Sequence, residues 1–253
     1  MTTTSQQDYF WEIHSGLPRE GPGDNQSTRK AFAALPKLAD EPFILDVACG
    51  PGMQTIELAT LCKGDIVAVD LHQEFLDQLD DRAAAANLSE RITTVNASML
   101  ELPFDEDSFD LIWSEGAVYI MGFENGLTQW KPLLKKDGCL ALTNVSYLKD
   151  DVPDEVRKFW DADYPEITTV DNFLKIVDLC GYRLLDHFTL PTSSWMNDYY
   201  TPMEKQLQSL RAKYSGNSDA LRAIEEGQNE IDMFRKYSDY YGYVFYVMQS
   251  RAL

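Results

Sequence analysis

The sequence predicts an α/β domain built on a mostly parallel sheet, and three observations lead there. Phe43-Ile-Leu-Asp-Val47 is a short apolar run that reads as a strand buried on both faces, and Met53 to Leu61 then follows helical period. The join between them is Gly50-Pro51-Gly52, whose two glycines take tight turn angles and leave no Cβ between the main chain and a ligand lying across a helix N-terminus. Further short apolar runs alternate with helical stretches down the chain, the order that builds strand–helix–strand units.

Taken in order, residues 8–14 (DYFWEIH) form an aromatic-rich segment, and residues 16–23 (GLPREGPG) a turn-rich stretch that regular helix cannot accommodate. Ser27 to Leu35 reads as a helix leading into the first strand. Asp65 to Asp70 is a second buried strand, followed by an alanine-rich helix from His72 to Asn87. The third strand spans Arg91 to Val95. A polar turn over 102–109 precedes the fourth, Asp110 to Ser114, and a helix follows from Phe123 to Leu134, with Trp130 on its apolar side. The fifth strand spans Cys139 to Val145. An insertion over 146–165, a helix from Val170 to Cys180 and a sixth strand from Tyr182 to Leu190 come next. A long stretch then separates that strand from the last, Gly242 to Met248. A connection of this length reads as a helical cap rather than an ordered loop.

A Gly-x-Gly turn alone does not identify the nucleotide. A dinucleotide fingerprint needs a third glycine three residues on, where this chain has Thr55, and a P-loop needs Gly-Lys-Ser or Gly-Lys-Thr, which is absent. Asp46, inside the turn end of the first strand, reads as an ionised carboxylate beside the cleft. Such a charge repels a pyrophosphate and suits a ligand carrying an amino group and a sulfonium, as S-adenosylmethionine does.

Five motifs in order resemble the class I S-adenosylmethionine-dependent methyltransferases, in the subgroup that acts on small molecules, over roughly residues 40–190. Asp46-Val-Ala-Cys-Gly-Pro-Gly52 resembles motif I, with Ala48 where many members have a first glycine. Ile66-Val-Ala-Val-Asp70 resembles the second strand ending in the ribose-binding acid, and Asn96 to Phe104 the adenine-contacting turn. Phe109 to Glu115 is similar to strand four, and Leu133 to Leu142 to the turn into strand five. Trp113 to Glu124 is also similar to a bacterial subgroup of methyltransferases. The resemblance implies a Rossmann-like fold: a seven-stranded, mostly parallel sheet with an antiparallel last strand, helices on both faces and helical cap insertions. The division it implies is an N-terminal lid segment and helix over 1–36, a cofactor-binding core over 37–190, a cap over 191–241 and the last core strand over 242–253.

It also implies site roles. Gly50, Gly52 and Ala48 shape the cofactor turn with Asp46. Asp70, an acid about twenty residues past the glycines, accepts from both ribose hydroxyls. Leu71 lies against one adenine face and Met99 against the other, while Ser98 stands where many relatives carry an aspartate for the adenine amino group. A hydroxyl accepts that bond more weakly than a charged group. Ser114 and Glu115 end strand four, beside the crevice where strand order reverses. Arg19 is a partner for the methionine carboxylate. For a general base, His14 in the lid comes first because imidazole titrates near neutrality, with Glu115 and Tyr119 behind it. His72 is expected to face water. Trp195, Tyr199 and Tyr200 in the cap suit an apolar or aromatic substrate, and equally a core or a homodimer contact.

Composition narrows the chemistry. A net charge of −19 argues against a nucleic-acid partner, because phosphate binding wants a basic face. Four cysteines, at 49, 62, 139 and 180, show no Cys-x-x-Cys spacing and read as reduced thiols in a cytoplasmic protein. The N-terminal residues lack the pattern of a secretion signal, and no run is long and apolar enough to span a bilayer. The histidines at 14, 72 and 187 are scattered, so no metal ligand set is expected. The expected activity is methyl transfer from S-adenosylmethionine to O, N or C of a small molecule by metal-free in-line displacement, leaving S-adenosylhomocysteine. A non-catalytic cofactor-binding regulator, an aminopropyltransferase and a dinucleotide oxidoreductase are the competing readings. Aminopropyl transfer wants paired aspartates after strand four, which Ser114-Glu-Gly-Ala117 does not supply.

Overall fold

The computed structural model describes residues 6–251, so the first five residues of the expected lid and the last two of the expected final strand lie outside it. Seven strands, β1 (Ile44–Val47), β2 (Ile66–Asp70), β3 (Ile92–Asn96), β4 (Phe109–Ser114), β5 (Leu134–Tyr147), β6 (Tyr182–Thr189) and β7 (Tyr241–Ser250), form one sheet in the order β3-β2-β1-β4-β5-β7-β6. The first five are mutually parallel, and β7 runs antiparallel between β5 and β6. Every residue of β1 and β2 is buried, as strands covered on both faces must be. Because β1 pairs with β2 on one side and β4 on the other, the chain's crossovers leave in opposite directions there, and a crevice opens at the carboxyl ends.

Around the sheet pack α1 (Gln6–His14), α2 (Asn25–Ala33), α3 (Met53–Leu61), α4 (Gln73–Ala85), α5 (Phe123–Trp130), α6 (Asp154–Asp163) and α7 (Val170–Leu179). The α2 helix starts two residues before the sequence reading because Asp24 caps it, accepting from the Ser27 amide at 2.8 Å. The α5 helix stops at Trp130, short of the expected Leu134. Pro132 has no amide hydrogen to continue it, and the chain tightens into a 3-10 turn over Lys131–Leu133. The fifth strand is longer than expected at both ends: Leu134 pairs with Phe109 of β4 at its start, and β7 pairs with it as far as Tyr147↔Tyr241 at its end.

The β6–β7 connection is helical, with α8 (Thr192–Trp195), a π-helical turn (Met196–Tyr200), α9 (Thr201–Lys213) and α10 (Ser218–Tyr237). Its aromatic residues do not open onto a cavity. Trp195 is 2% and Tyr200 1% exposed, and Trp195 stacks on Phe234 at 4.2 Å between ring centroids and meets Tyr243 at 5.0 Å. Trp195, Tyr199 and Tyr200 are thus the cap's own core. The outer face of the cap holds α1: Lys213 pairs with Glu12 at 2.6 Å, and Asn217 donates to the Tyr9 hydroxyl at 2.7 Å.

Candidate active site

The crevice widens into a cavity of about 390 Å³. Its floor is the loops beyond the carboxyl ends of four strands: Ala48 to Pro51 after β1, Asp70 to His72 at β2, Ala97 to Leu100 after β3, and Glu115 to Ala117 after β4. Its roof is the N-terminal segment, through Phe10, Trp11 and His14 of α1 and Pro18 to Pro22 of the strap that follows.

The glycine turn is held from several sides. The Cys49 amide donates to the Val69 carbonyl at 2.9 Å, and the Gly50 amide to Asp70 Oδ2 at 2.8 Å, while Asp70 Oδ1 accepts from the His72 amide at 2.9 Å. Asp70 is therefore buried and oriented by two main-chain donors. Gly50 and Gly52 take φ of 53° and 82°, the left-handed region that only glycine enters freely, and Ala48 takes 55° despite its Cβ. Gln54, from the first turn of α3, donates to the Cys49 carbonyl at 2.8 Å and reaches the cavity wall.

The strap is latched as firmly. Arg19 and Glu115 form an ion pair at 3.3 Å with side chains 5% and 3% exposed. Glu115 Oε1 accepts from Thr28 Oγ1 at 2.7 Å and from Trp113 Nε1 at 2.9 Å, while Arg19 Nη2 donates to Asn25 at 2.8 Å. Arg82 of α4 donates both to the Pro51 carbonyl of the turn at 2.8 Å and to the Pro18 carbonyl of the strap at 3.3 Å. The Gly23 amide donates to the Ser194 carbonyl of the cap at 3.0 Å, and Ser194 Oγ donates to Asp24.

Of the residues singled out from sequence, Ala48, Gly50, Asp70, Leu71, Ser98, Met99, Arg19, Glu115, Tyr119 and His14 all line this one cavity; Asp46, Gly52 and Ser114 do not. Asp46 is fully buried inside the sheet, opposite Ala68 and Trp113, and accepts from Thr55 at 2.6 Å. Burial pushes its carboxyl up to about 8, against the Thr55 bond, so the ionised group expected beside the cleft is a neutral one beneath it. Gly52 starts α3 and faces Leu79, where a Cβ would come within 2.2 Å of Cδ1. Ser114 Oγ donates to the Val47 carbonyl at 3.0 Å, tying β4 to β1 below the cavity.

The candidate bases differ in state. Glu115 has three donors on it, and its pKa is raised because burial outweighs the Arg19 charge. It is a latch rather than a free base. Tyr119 is pushed up to about 12, chiefly by burial, so it stays a phenol at neutral pH. His14 is 6% exposed and its pKa is lowered by burial, partly opposed by its bond to the Phe10 carbonyl. That carbonyl can only accept, so the 2.8 Å contact places the hydrogen on Nδ1, and Nε2 faces the Tyr199 hydroxyl at 3.4 Å as the acceptor.

Sequence reasoning missed three features. His72 is half-buried rather than turned to water; its ring centroid lies 3.9 Å from that of Trp11, and it lines the cavity with Phe75. Glu20 lines the cavity, and burial, helped by Asp70 and partly offset by Arg82, pushes it up to about 8. The cavity mouth is apolar. Among the described residues, Phe10, Leu71, Leu100 and Ile120 are exposed large hydrophobic side chains and all line it, with Leu179 the one exposed elsewhere. The aromatic run over 8–14 carried a signal for the roof. Glu20 carried none, because a single acid in a turn-rich stretch has no periodicity to read.

Comparison with known proteins agrees with this geometry. Residues 44–138 match a family described as "Methyltransferase domain". The chain is 26% identical over 241 residues to 27-O-demethylrifamycin SV methyltransferase of Amycolatopsis mediterranei, covering 91% of this chain and 83% of that one. Its fold matches a SAM-dependent methyltransferase of Geobacter sulfurreducens in complex with S-adenosyl-L-homocysteine, with a TM-score of 0.83 at 17% identity, covering 96% and 98% of the two chains. It also matches the [4+2]-cyclase SpnF, with a TM-score of 0.74 at 17% identity and coverage of 99% and 97%. Seven strands in this order, a glycine turn facing an acid at the end of β2, and the methyltransferase-domain match over residues 44–138 together give the chain the fold of the class I S-adenosylmethionine-dependent methyltransferases.

Proposed function

We propose that the chain transfers the methyl group of S-adenosylmethionine to a small acceptor with an apolar or aromatic body. The observation that carries the reading is the bond from Gly50 to Asp70 at the strand-order switch, which turns a bare glycine loop and an oriented carboxylate toward the same cavity. The residues present fit the cofactor. Gly50 lines the cavity with no side chain of its own, and Arg19, which also lines it, has a buried Nε with no partner among the described residues. Asp70 would accept from the ribose hydroxyls, Leu71 and Met99 would flank adenine, Ser98 would accept from its amino group, and Arg19 would take the methionine carboxylate.

The sulfonium supplies a good leaving group, so the chain's own task is to position the acceptor and exclude water. Tyr119 as a neutral phenol orients the acceptor. For an acceptor that loses a proton, His14 is the base: the hydrogen on Nδ1 is committed to Phe10, burial keeps the ring uncharged, and Nε2 exchanges its long 3.4 Å contact with the Tyr199 hydroxyl for the acceptor. The apolar mouth formed by Phe10, Leu71, Leu100 and Ile120 favours an acceptor with a hydrophobic body, since exposed apolar clusters of this kind mark binding surfaces. The relative from Amycolatopsis is named for a rifamycin acceptor, which accords with such a body.

Calorimetry with S-adenosylhomocysteine tests the cofactor site. Asp70→Ala is expected to weaken binding about 10- to 100-fold, the effect of losing a hydrogen bond to a charged acceptor of about 1.5–3 kcal/mol. No heat from folded wild-type protein with either S-adenosylmethionine or its demethylated product overturns the reading. A second reading, a cofactor-holding protein that transfers no methyl group, is favoured by the fold match along almost the whole chain to a [4+2]-cyclase. Transfer of a labelled methyl group to a panel of apolar alcohols, amines and acids separates the two.

A further inference from the structure

Three acids line the cavity, and two of them are committed. Asp70 accepts from the Gly50 and His72 amides, and Glu115 accepts from Arg19, Thr28 and Trp113. Glu20 has neither a hydrogen bond nor an ion pair among the described residues. Its side chain crosses the glycine turn, with Cγ 3.7 Å from where a Cβ on Gly50 would stand, and nothing on the glycine fills the space between. The strap that carries it is pinned by Arg82, Glu115 and Ser194, so Glu20 is held over the turn rather than sampling solvent.

We propose that Glu20 is the counter-carboxylate for the ammonium group at the amino-acid end of the bound cofactor. This rests on reading the cavity as an S-adenosylmethionine site. An amino-acid end is a zwitterion, and recognising it takes one cation and one anion side by side. Arg19 and Glu20 are consecutive residues of the strap and both reach the cavity, the first with an unpartnered buried Nε and the second with an unpartnered carboxyl. A carboxyl beside Asp70 is unfavourable in the free protein and becomes favourable once a cation lies against it.

The groups facing Glu20 are Asp70 at the end of β2, Arg82 of α4 and Tyr199 of the cap, with His14 and His72 on the same cavity wall. Burial holds Tyr199 as a phenol and lowers the His14 pKa, so neither supplies the missing positive charge at neutral pH. The free protein keeps Glu20 largely protonated at pH 7. Binding of the ammonium group ionises it, and the proton passes to the buffer.

The experiment is calorimetry on the full chain at pH 7, in two buffers of different ionisation enthalpy, with two probes. S-adenosylhomocysteine carries the amino-acid end, and 5′-methylthioadenosine lacks it. Wild type should release close to one proton with the first probe and none with the second. Glu20→Gln should abolish that release and weaken S-adenosylhomocysteine about 10- to 100-fold, while 5′-methylthioadenosine changes less than about 2-fold. Glu20→Asp, which keeps the charge on a shorter stem, should retain the release with an intermediate loss, and thermal melts check that each variant is folded. An equal loss for both probes, or undiminished proton release in Glu20→Gln, overturns the assignment while leaving the cofactor site standing. Absence of binding by folded wild type to either probe overturns both.

Discussion

Replacing Glu115 with glutamine tests whether the strap is latched by charge. The carboxylate divides its work between two oxygens: Oε1 accepts from Thr28 and Trp113, and Oε2 faces Arg19 Nη1 at 3.3 Å. A glutamine keeps Oε1 for the first two donors and turns an amide NH2 toward the guanidinium, so it removes the ion pair alone. With both side chains about 5% exposed or less, this is a buried pair, and breaking one from a single side costs about 3–5 kcal/mol. For a chain of this size, about 2–4 °C per kcal/mol converts that to a fall in melting temperature of roughly 6–20 °C. If Arg19 instead swings out and takes the strap with it, the melting temperature falls less and proteolysis within residues 16–23 rises. The assay is a thermal melt paired with limited proteolysis on wild type, Glu115→Gln, Arg19→Met and the double variant. A Glu115→Gln protein that melts within about 1 °C of wild type with an unchanged digestion pattern, and no coupling in the double-mutant cycle, refutes the latch.

The remaining predictions concern pH and the turn. Asp46 and Glu20, both raised to about 8, and Glu230, raised to about 7 mainly by burial, hold protons in the folded state that an unfolded chain has already lost above about 4.5. Their contribution is complete below that value and is lost as pH rises to 8, so the melting temperature should fall from pH 5.5 to 8.5. His14, lowered by burial, acts in the opposite sense, its contribution being lost as pH falls below its ordinary value, and it blunts the slope. Asp46→Asn, which can still accept from Thr55, should flatten the profile, and a melting temperature that rises across this range with no difference in the variant would show Asp46 ionised in the fold. In the turn, Gly52→Ala meets Leu79 and a left-handed backbone together and should cost about 2–5 kcal/mol in denaturant melts. Ala48→Gly, relieving a φ of 55°, should be neutral or stabilising, and equal losses at the two positions would mean the turn geometry is misassigned.

The sheet was legible because strands buried on both faces are continuous apolar runs, as at 44–47 and 66–69, and because the turn between β1 and α3 needs glycine where φ is positive. Ends were less legible. The tail of β5 is set by its pairing with β7, about a hundred residues away, and α2 begins where Asp24 caps it rather than where its apolar period starts. The cap's length predicts helix, while residue type leaves its aromatics open between a substrate wall and a core or dimer contact, and the structure puts them in the core. Three large rings within six residues can bury themselves on one another and on Phe234, which removes more apolar area from water than lining a wet cleft.

Asp46 and the strap show the two ways in which the site outran the sequence. Residue type alone makes Asp46 a charge. Position decides otherwise, because a residue paired on one side with Ala68 and on the other with Trp113 is inside the ladder, whereas the residues that reach the cavity sit at or past the strand ends, as Asp70, Ala48 and Glu115 do. The strap is the converse case. Its local sequence says only that it is not helical, while its place is fixed by Arg82 of α4, Glu115 after β4 and Ser194 of the cap, each more than sixty residues away along the chain. Since those three ties come from α4, from the loop after β4 and from the cap, a change in any of them reaches the strap, and the placing of Arg19 and Glu20 depends on the whole fold rather than on the glycine turn.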